Sequence, residues 1–195
     1  MNKELKLKIC NLTKITKAKL ISSTSSYNGK FIKIIKEKYL LPNNKIIERE
    51  RIEKNNKKEA VIIIAITENK KCILVVQNRV NNIVSVEFPS GYIEDGESVE
   101  EAAARELLEE TGYLSTHIEV IDNYYSQIGI DASVINIVIA YNCRIVSFQK
   151  LDESEYINFG EFTLEEVREL IENNYIKSVG NKLAYYEMEN LNKKR

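Results

Sequence analysis

Gly91 to Tyr113 read GYIEDGESVEEAAARELLEETGY, and the fold of the whole chain turns on this stretch. Ser98 followed by Glu101 is a capping box, which predicts a helix starting there. Ala102, Ala103, Ala104, Leu107 and Leu108 are good helix formers that carry it on, and Gly112 is its C-terminal stop. On that helix Glu106, Glu109 and Glu110 stand three and four positions apart, so three carboxylates crowd into one neighbourhood. Like charges so placed repel unless a cation lies between them. Hard oxygen ligands with no His or Cys nearby point to Mg²⁺ or Mn²⁺. Ala102 and Ala103, one turn earlier, leave room for a hydrated ion, and Arg105 or Glu97 is placed to orient the acids. An ordinary solvated acidic face does not need Gly91, Glu97, Arg105-Glu106-Leu107, Glu109-Glu110 and Gly112 at fixed offsets.

A chain of 195 residues with 44% hydrophobic content suffices for one sizeable core, or one core and a small appended unit. With 28 basic and 29 acidic residues the net charge is −1, so no global field draws nucleic acid. Cys10, Cys72 and Cys143 lack metal-site spacing. Cys72 and Cys143 sit in apolar runs as buried thiols, and an odd cysteine count without a secretory segment points to the cytoplasm. No apolar run is long enough to span a bilayer.

N-terminal to the decisive stretch, residues 1–11 alternate Leu5, Leu7 and Ile9 with lysines, the period of a half-exposed strand. Residues 13–26 carry no clear assignment. A turn at Tyr27-Asn28-Gly29-Lys30 leads to strands over 31–41 and 45–53, separated by Pro42-Asn43-Asn44. Three short antiparallel strands cannot bury both faces alone and must dock on the main domain or on a second copy. After a polar loop at 54–59, the continuously apolar 60–66 reads as a central strand, followed by strands at 72–77 and 86–88. Beyond the helix, strands are expected at 118–125 and 134–146, with residues 126–133 as a loop long enough to cover a site. Thr163 and Glu166 form a second capping box opening a helix to about Asn173, and 181–191 is a last helix. The expected plan is α/β: a mixed sheet with helices on its faces over 57–195, preceded by a small antiparallel β unit over 1–56.

The offsets from Gly91 to Gly112 are those of the Nudix box, with only Tyr113 departing from the usual aliphatic residue, so the chain resembles the Nudix hydrolase superfamily. Within it, the Tyr27-Asn28-Gly29 and Leu41-Pro42-Asn43 turns, Arg49, Gln77-x-Arg79 and Glu87-Phe88-Pro89-Ser90-Gly91 are similar to the ADP-ribose pyrophosphatase branch. The resemblance implies an α/β/α sandwich and metal-dependent hydrolysis of ADP-ribose or a related nucleoside diphosphate sugar to AMP and a sugar phosphate. It also implies a homodimer in which the N-terminal β unit packs across its partner. On this resemblance Glu106 and Glu110 are principal metal ligands, with Glu109, Glu97 and the Ser90 carbonyl in the same cluster. Arg79 contacts the phosphates, Arg49, Arg51 and Glu87 lie near the substrate or the dimer seam, and Tyr27 stacks on a base.

One departure stands out. Members of the branch have a proline before the glycine of the loop corresponding to 126–133 and a catalytic glutamate after it. Here Gln127-Ile128 precede Gly129, and Asp131, Ala132 and Ser133 follow. Asp131 or Glu109 is therefore the candidate general base. His117 is read as a surface residue. Two alternatives remain: hydrolysis of another nucleoside diphosphate derivative, and a Nudix domain that senses a nucleotide without cleaving it.

Overall fold

The computed structural model describes residues 2–14, 17–54, 59–153 and 155–194. The chain divides into two compact units, Met1–Asn56 with Gln127–Ala132, and Lys57–Ser126 with Ser133–Arg195.

The first unit opens on a helix, α1 (Lys3–Lys14), which corrects the strand expected over residues 1–11. Leu5, Ile9 and Leu12 recur at four- and three-residue steps, so the residues that alternate in a strand also satisfy a helical period. Asn2 tips the balance as a cap: its Oδ1 accepts from the Glu4 N–H at 2.9 Å. The unassigned 13–26 stretch contributes the first strand instead, β1 (Lys19–Asn28), which pairs with β2 (Ile32–Leu40), itself paired with β3 (Ile46–Lys54), all antiparallel. Its Ser- and Thr-rich sequence conceals a strand because β1 is exposed along its whole length. The expected turns hold: Gly29 N–H donates to Ile32 O, and Leu41 N–H to Lys45 O. Within this sheet Glu37 is buried and accepts from Arg51 Nε at 2.9 Å and from the Tyr39 hydroxyl at 2.7 Å.

The second unit is a mixed sheet. Its strands are β4 (Glu59–Thr67), β5 (Cys72–Arg79), β6 (Ile83–Glu87), β7 (Ser90–Tyr92), β8 (Tyr113–Leu114), β9 (His117–Gln127), β10 (Asp131–Ile145) and β11 (Ile157–Phe162). The main path runs β11-β5-β4-β10-β8, with β6 on β5, β7 on β4 and β9 on β10. Only β4 and β10 pair in parallel among the described strand registers. The apolar run at 60–66 is central, as its composition predicts, and its side chains alternate between two cores. Val61, Ile63 and Ala65 pack with Ala102, Ala103 and Leu107 of the helix α2 (Val99–Thr111). Ile62 and Ile64 pack on the other face with Val167 and Ile171 of α3 (Leu164–Glu172) and with Ala184, Tyr185 and Met188 of α4 (Val179–Lys194). The result is the α/β/α sandwich.

Both capping boxes form as read, Ser98 with Glu101 and Thr163 with Glu166. The two short strands β7 and β8 and the later β11 are additions, and the polar loop expected at 54–59 lies mostly outside the described residues. Residues 126–133 are corrected: β9 runs through Gln127, β10 begins at Asp131, and only Ile128–Ile130 turn, closed by Ile130 N–H to Gln127 O at 2.9 Å. The segment is a tight hairpin turn, because alternation continues to its edges on both sides. Tyr113, the departure at the end of the box, is buried, edge-on to Phe159 at 6.0 Å, with its hydroxyl donating to Glu161 at 2.7 Å.

Gly112 ends α2 with φ at 73°. A Cβ there would fall on the Ser147 carbonyl oxygen, while Val146 and Ser147 donate their N–H groups to the Gly112 carbonyl. Gly112→Ala is expected to lose at least about 1–2 kcal/mol from the left-handed conformation alone, or roughly 2–8 °C in Tm. Thermal unfolding checks this, and an unchanged Tm would contradict the tight closure of α2 against Ser147.

Candidate functional site

The site is built where the turn Phe88–Gly91 meets the outward side of α2. Phe88 is fully buried, and its N–H donates to Asn181 Oδ1 of α4 at 2.6 Å. The Pro89 carbonyl accepts from Ile63 of β4 at 2.9 Å. The turn is thus pinned from both layers. From it the Ser90 N–H donates to Glu110 Oε2 at 2.9 Å. Gly91 keeps the Glu106 carboxyl in its place: a Cβ at 91 would land on that group and displace it. The backbone therefore lies directly against two carboxylates one helical turn apart.

Arg105 ties the remaining acids together. It grips Glu97 through Nε (2.7 Å) and a terminal nitrogen (2.9 Å), and its other nitrogen reaches Glu106 at 2.8 Å and Glu109 at 3.1 Å. It also donates to the Tyr92 carbonyl at 2.9 Å. The Arg105 guanidinium holds the Glu97 carboxyl down to about 2. Glu110 behaves oppositely: burial, reinforced by the charges of Glu106 and Glu155 against the opposing Ser90 N–H, pushes it up to about 8. Glu106 is raised as well, again chiefly by burial.

Among the described residues no three acidic, His or Cys groups stand together at metal-binding spacing, and the guanidinium of Arg105 lies among Glu97, Glu106 and Glu109. The donor chemistry still fits a hard divalent cation. All the candidate ligands are oxygens, and Glu110, buried, and Glu106, partly buried, both have their proton affinity raised by desolvation, so added positive charge favours their ionised forms.

Arg79 lies at the end of β5 and forms a two-pronged ion pair with buried Glu87, Nε to Oε1 at 3.0 Å and a terminal nitrogen to Oε2 at 2.6 Å. Its positive charge is felt by Glu110. The structure thus brings together Arg79, Glu87, Ser90, Glu97, Glu106, Glu109 and Glu110 within one unit. The other sequence candidates belong to the first unit. There Arg51 binds Glu37 and Glu53, Arg49 lies over the Tyr39 ring at 5.5 Å, Tyr27 is exposed beside Gly29, and Asp131 pairs with Lys54 at 3.3 Å.

Glu155 was missed by the sequence reading. It follows β10 in a segment fastened to the end of α2: Lys150 N–H donates to Glu109 O at 2.9 Å, and Gln149 Nε2 donates to Glu110 O at 2.5 Å and to Ile157 O at 3.1 Å. The only signal was the acidic run Asp152-Glu153-Ser154-Glu155, which a sequence cannot distinguish from a solvated loop.

The chain is similar to known proteins in sequence and in fold. The family model described as the NUDIX domain matches residues 56–179. The chain is 33% identical to an ADP-ribose pyrophosphatase of Bacillus subtilis over 79% of this chain and 83% of that protein. It is also 31% identical to a methanol dehydrogenase activator of Bacillus methanolicus over 81% and 85% of the two chains. A solved structure described as an ADP compounds hydrolase superposes with a TM-score of 0.83, covering 92% of this chain and 96% of the other at 24% identity, a likeness of fold.

Replacing Arg105 with Met is expected to return Glu97 from about 2 toward its ordinary 4.5. A depressed folded-state value gives stability that is present above about 4.5 and lost as the pH falls through about 2. The stability gap between wild type and Arg105→Met should therefore narrow on acidification. Urea unfolding at about pH 7 and about pH 3 measures it, and an equal gap at both would contradict the role given to Arg105.

Proposed function

The chain belongs to the NUDIX domain family, and on that premise we propose that it hydrolyses the diphosphate of ADP-ribose or a related nucleoside diphosphate sugar to AMP and a sugar phosphate. The observation that carries the reading is the acidic pair of partly buried Glu106 and buried Glu110, pressed against Gly91 and the Ser90 N–H and flanked by the Arg79–Glu87 pair. Added positive charge would favour the ionised form of both. The relatives named above support the substrate class.

Glu106 and Glu110, with Glu109, Glu97 and the Ser90 carbonyl, would hold Mg²⁺ or Mn²⁺. When bound, the cation neutralises phosphate oxygens and lowers the pKa of water. The chain's own groups have separate tasks. Arg105 spaces and orients Glu97, Glu106 and Glu109. Glu87 steadies the guanidinium of Arg79 through two bonds, which leaves its remaining N–H groups to meet phosphate oxygens in a planar fork. A carboxylate must take the proton from the attacking water. Glu155 suits that task because its charge reaches both Glu106 and Glu110, and Glu109 is the alternative. Asp131 is already paired with Lys54, which favours Glu155 over it.

The same reading makes the first unit, with Arg49, Arg51 and Tyr27, a dimerising and substrate-facing element. Leu7, Leu12, Phe31 and Ile46 are exposed there and offer apolar surface that a second copy would cover. Cys10, Cys72 and Cys143 are free thiols, in keeping with a reducing cytoplasm. Among the described residues no helix is long and apolar enough to cross a membrane.

Purified protein incubated with ADP-ribose and Mg²⁺ should release AMP. Glu110→Gln should lower turnover by roughly 100-fold or more while melting near the wild type. Absence of AMP across a panel of nucleoside diphosphate derivatives would leave the nucleotide-sensing alternative. Full activity of Glu110→Gln in excess Mg²⁺ would remove the metal assignment.

A further inference from the structure

We propose that the side-chain amide of Gln77 is a substrate-binding donor, its N–H groups reserved for a phosphate oxygen of the bound diphosphate; this rests on the hydrolase reading above. Among the described residues, Gln77 Nε2 is the one buried side-chain nitrogen or oxygen without a hydrogen-bond partner. The residue is 8% exposed. A donor shut away from water with no acceptor destabilises the free protein, and native chains contain few of them.

Its position ties it to the site. Gln77 and Arg79 are two apart on β5, so they leave the sheet on the same face. Ile73, also on that face, packs against α2. The strand register sets Gln77 between Ser85 of β6 and Ile157 of β11. The Ile157 carbonyl accepts from Gln149, whose amide also reaches Glu110 O. Glu87, the acid that holds Arg79, stands opposite Val75 on the same face. The orphaned donor therefore lies on the side of the sheet that carries Arg79, Glu87 and α2.

The chemistry selects the ligand. Glu87 is engaged by the two prongs of Arg79, Glu110 accepts from Ser90, and neither carboxylate is bonded to Gln77 Nε2. What lacks an acceptor in the free protein needs one that arrives with the ligand. A neutral amide beside Arg79 adds a hydrogen bond to an anionic oxygen without bringing a second cation that would pair with Glu110 instead.

The test uses the full chain with two substitutions at one position. Gln77→Met keeps the length and removes the donor. Its ligand-free Tm should rise by roughly 2–6 °C as the unpaired group disappears. Its KM for ADP-ribose should rise roughly 10-fold or more, with kcat within a few-fold of wild type. Gln77→Glu, which replaces the donor with an anion facing the phosphate oxygen, should raise KM further.

A lower ligand-free Tm in Gln77→Met would mean that the amide already has a partner, such as an ordered water, and would overturn the proposal. So would an unchanged KM, or a fall in kcat alone. If the wild-type protein itself cleaves no nucleoside diphosphate derivative, the hydrolase reading fails first, and that result is read without any substitution.

Discussion

The constraint on which the rest depends is the close approach of a backbone turn to two acidic side chains. Ser90 and Gly91 lie so near α2 that one carboxyl occupies the space a side chain at 91 would fill, and another is held by a single N–H. Neither group is at ease there: burial raises the proton affinity of both Glu106 and Glu110. A fold keeps such an arrangement only if the surrounding structure enforces it. The enforcement is visible on every side of the turn. Asn181 fixes Phe88 from α4, Ile63 fixes Pro89 from the central strand, and Ala102, Ala103 and Leu107 bury the opposite side of α2.

Charge is distributed around this turn by two arginines with different commitments. Arg105 is surrounded by Glu97, Glu106 and Glu109, and all its bonds but the one to the Tyr92 carbonyl are spent within the acidic cluster. Arg79 is half exposed and gives its fork to one buried acid, Glu87. An Arg that answers three acids organises the protein, and an Arg steadied by one acid keeps donors for a ligand. The segment between β10 and β11 completes the surroundings, because its backbone and Gln149 cap carbonyls at the end of α2. That attachment brings the charge of Glu155 to bear on the pair.

Features that depend on near neighbours are written in the sequence. The helix from Ser98 to Gly112, the clustering of Glu106, Glu109 and Glu110, the capping box at Thr163 and the central apolar strand were all legible, since caps and periodicity act within a few residues. The same local reasoning failed where two periods fit one short stretch, as in α1, where an exposed strand lacks apolar alternation, as in β1, and where a presumed loop proved to be a hairpin turn at 128–130. The remaining features arise from contacts between distant parts of the chain. Asn181 meets Phe88 across 93 residues, the Glu155 segment folds back onto α2, and Gln77 is left without a partner. Each depends on which distant elements the sheet order makes adjacent, and burial of an acid or an amide is a property of that three-dimensional surrounding, which no short window of sequence contains.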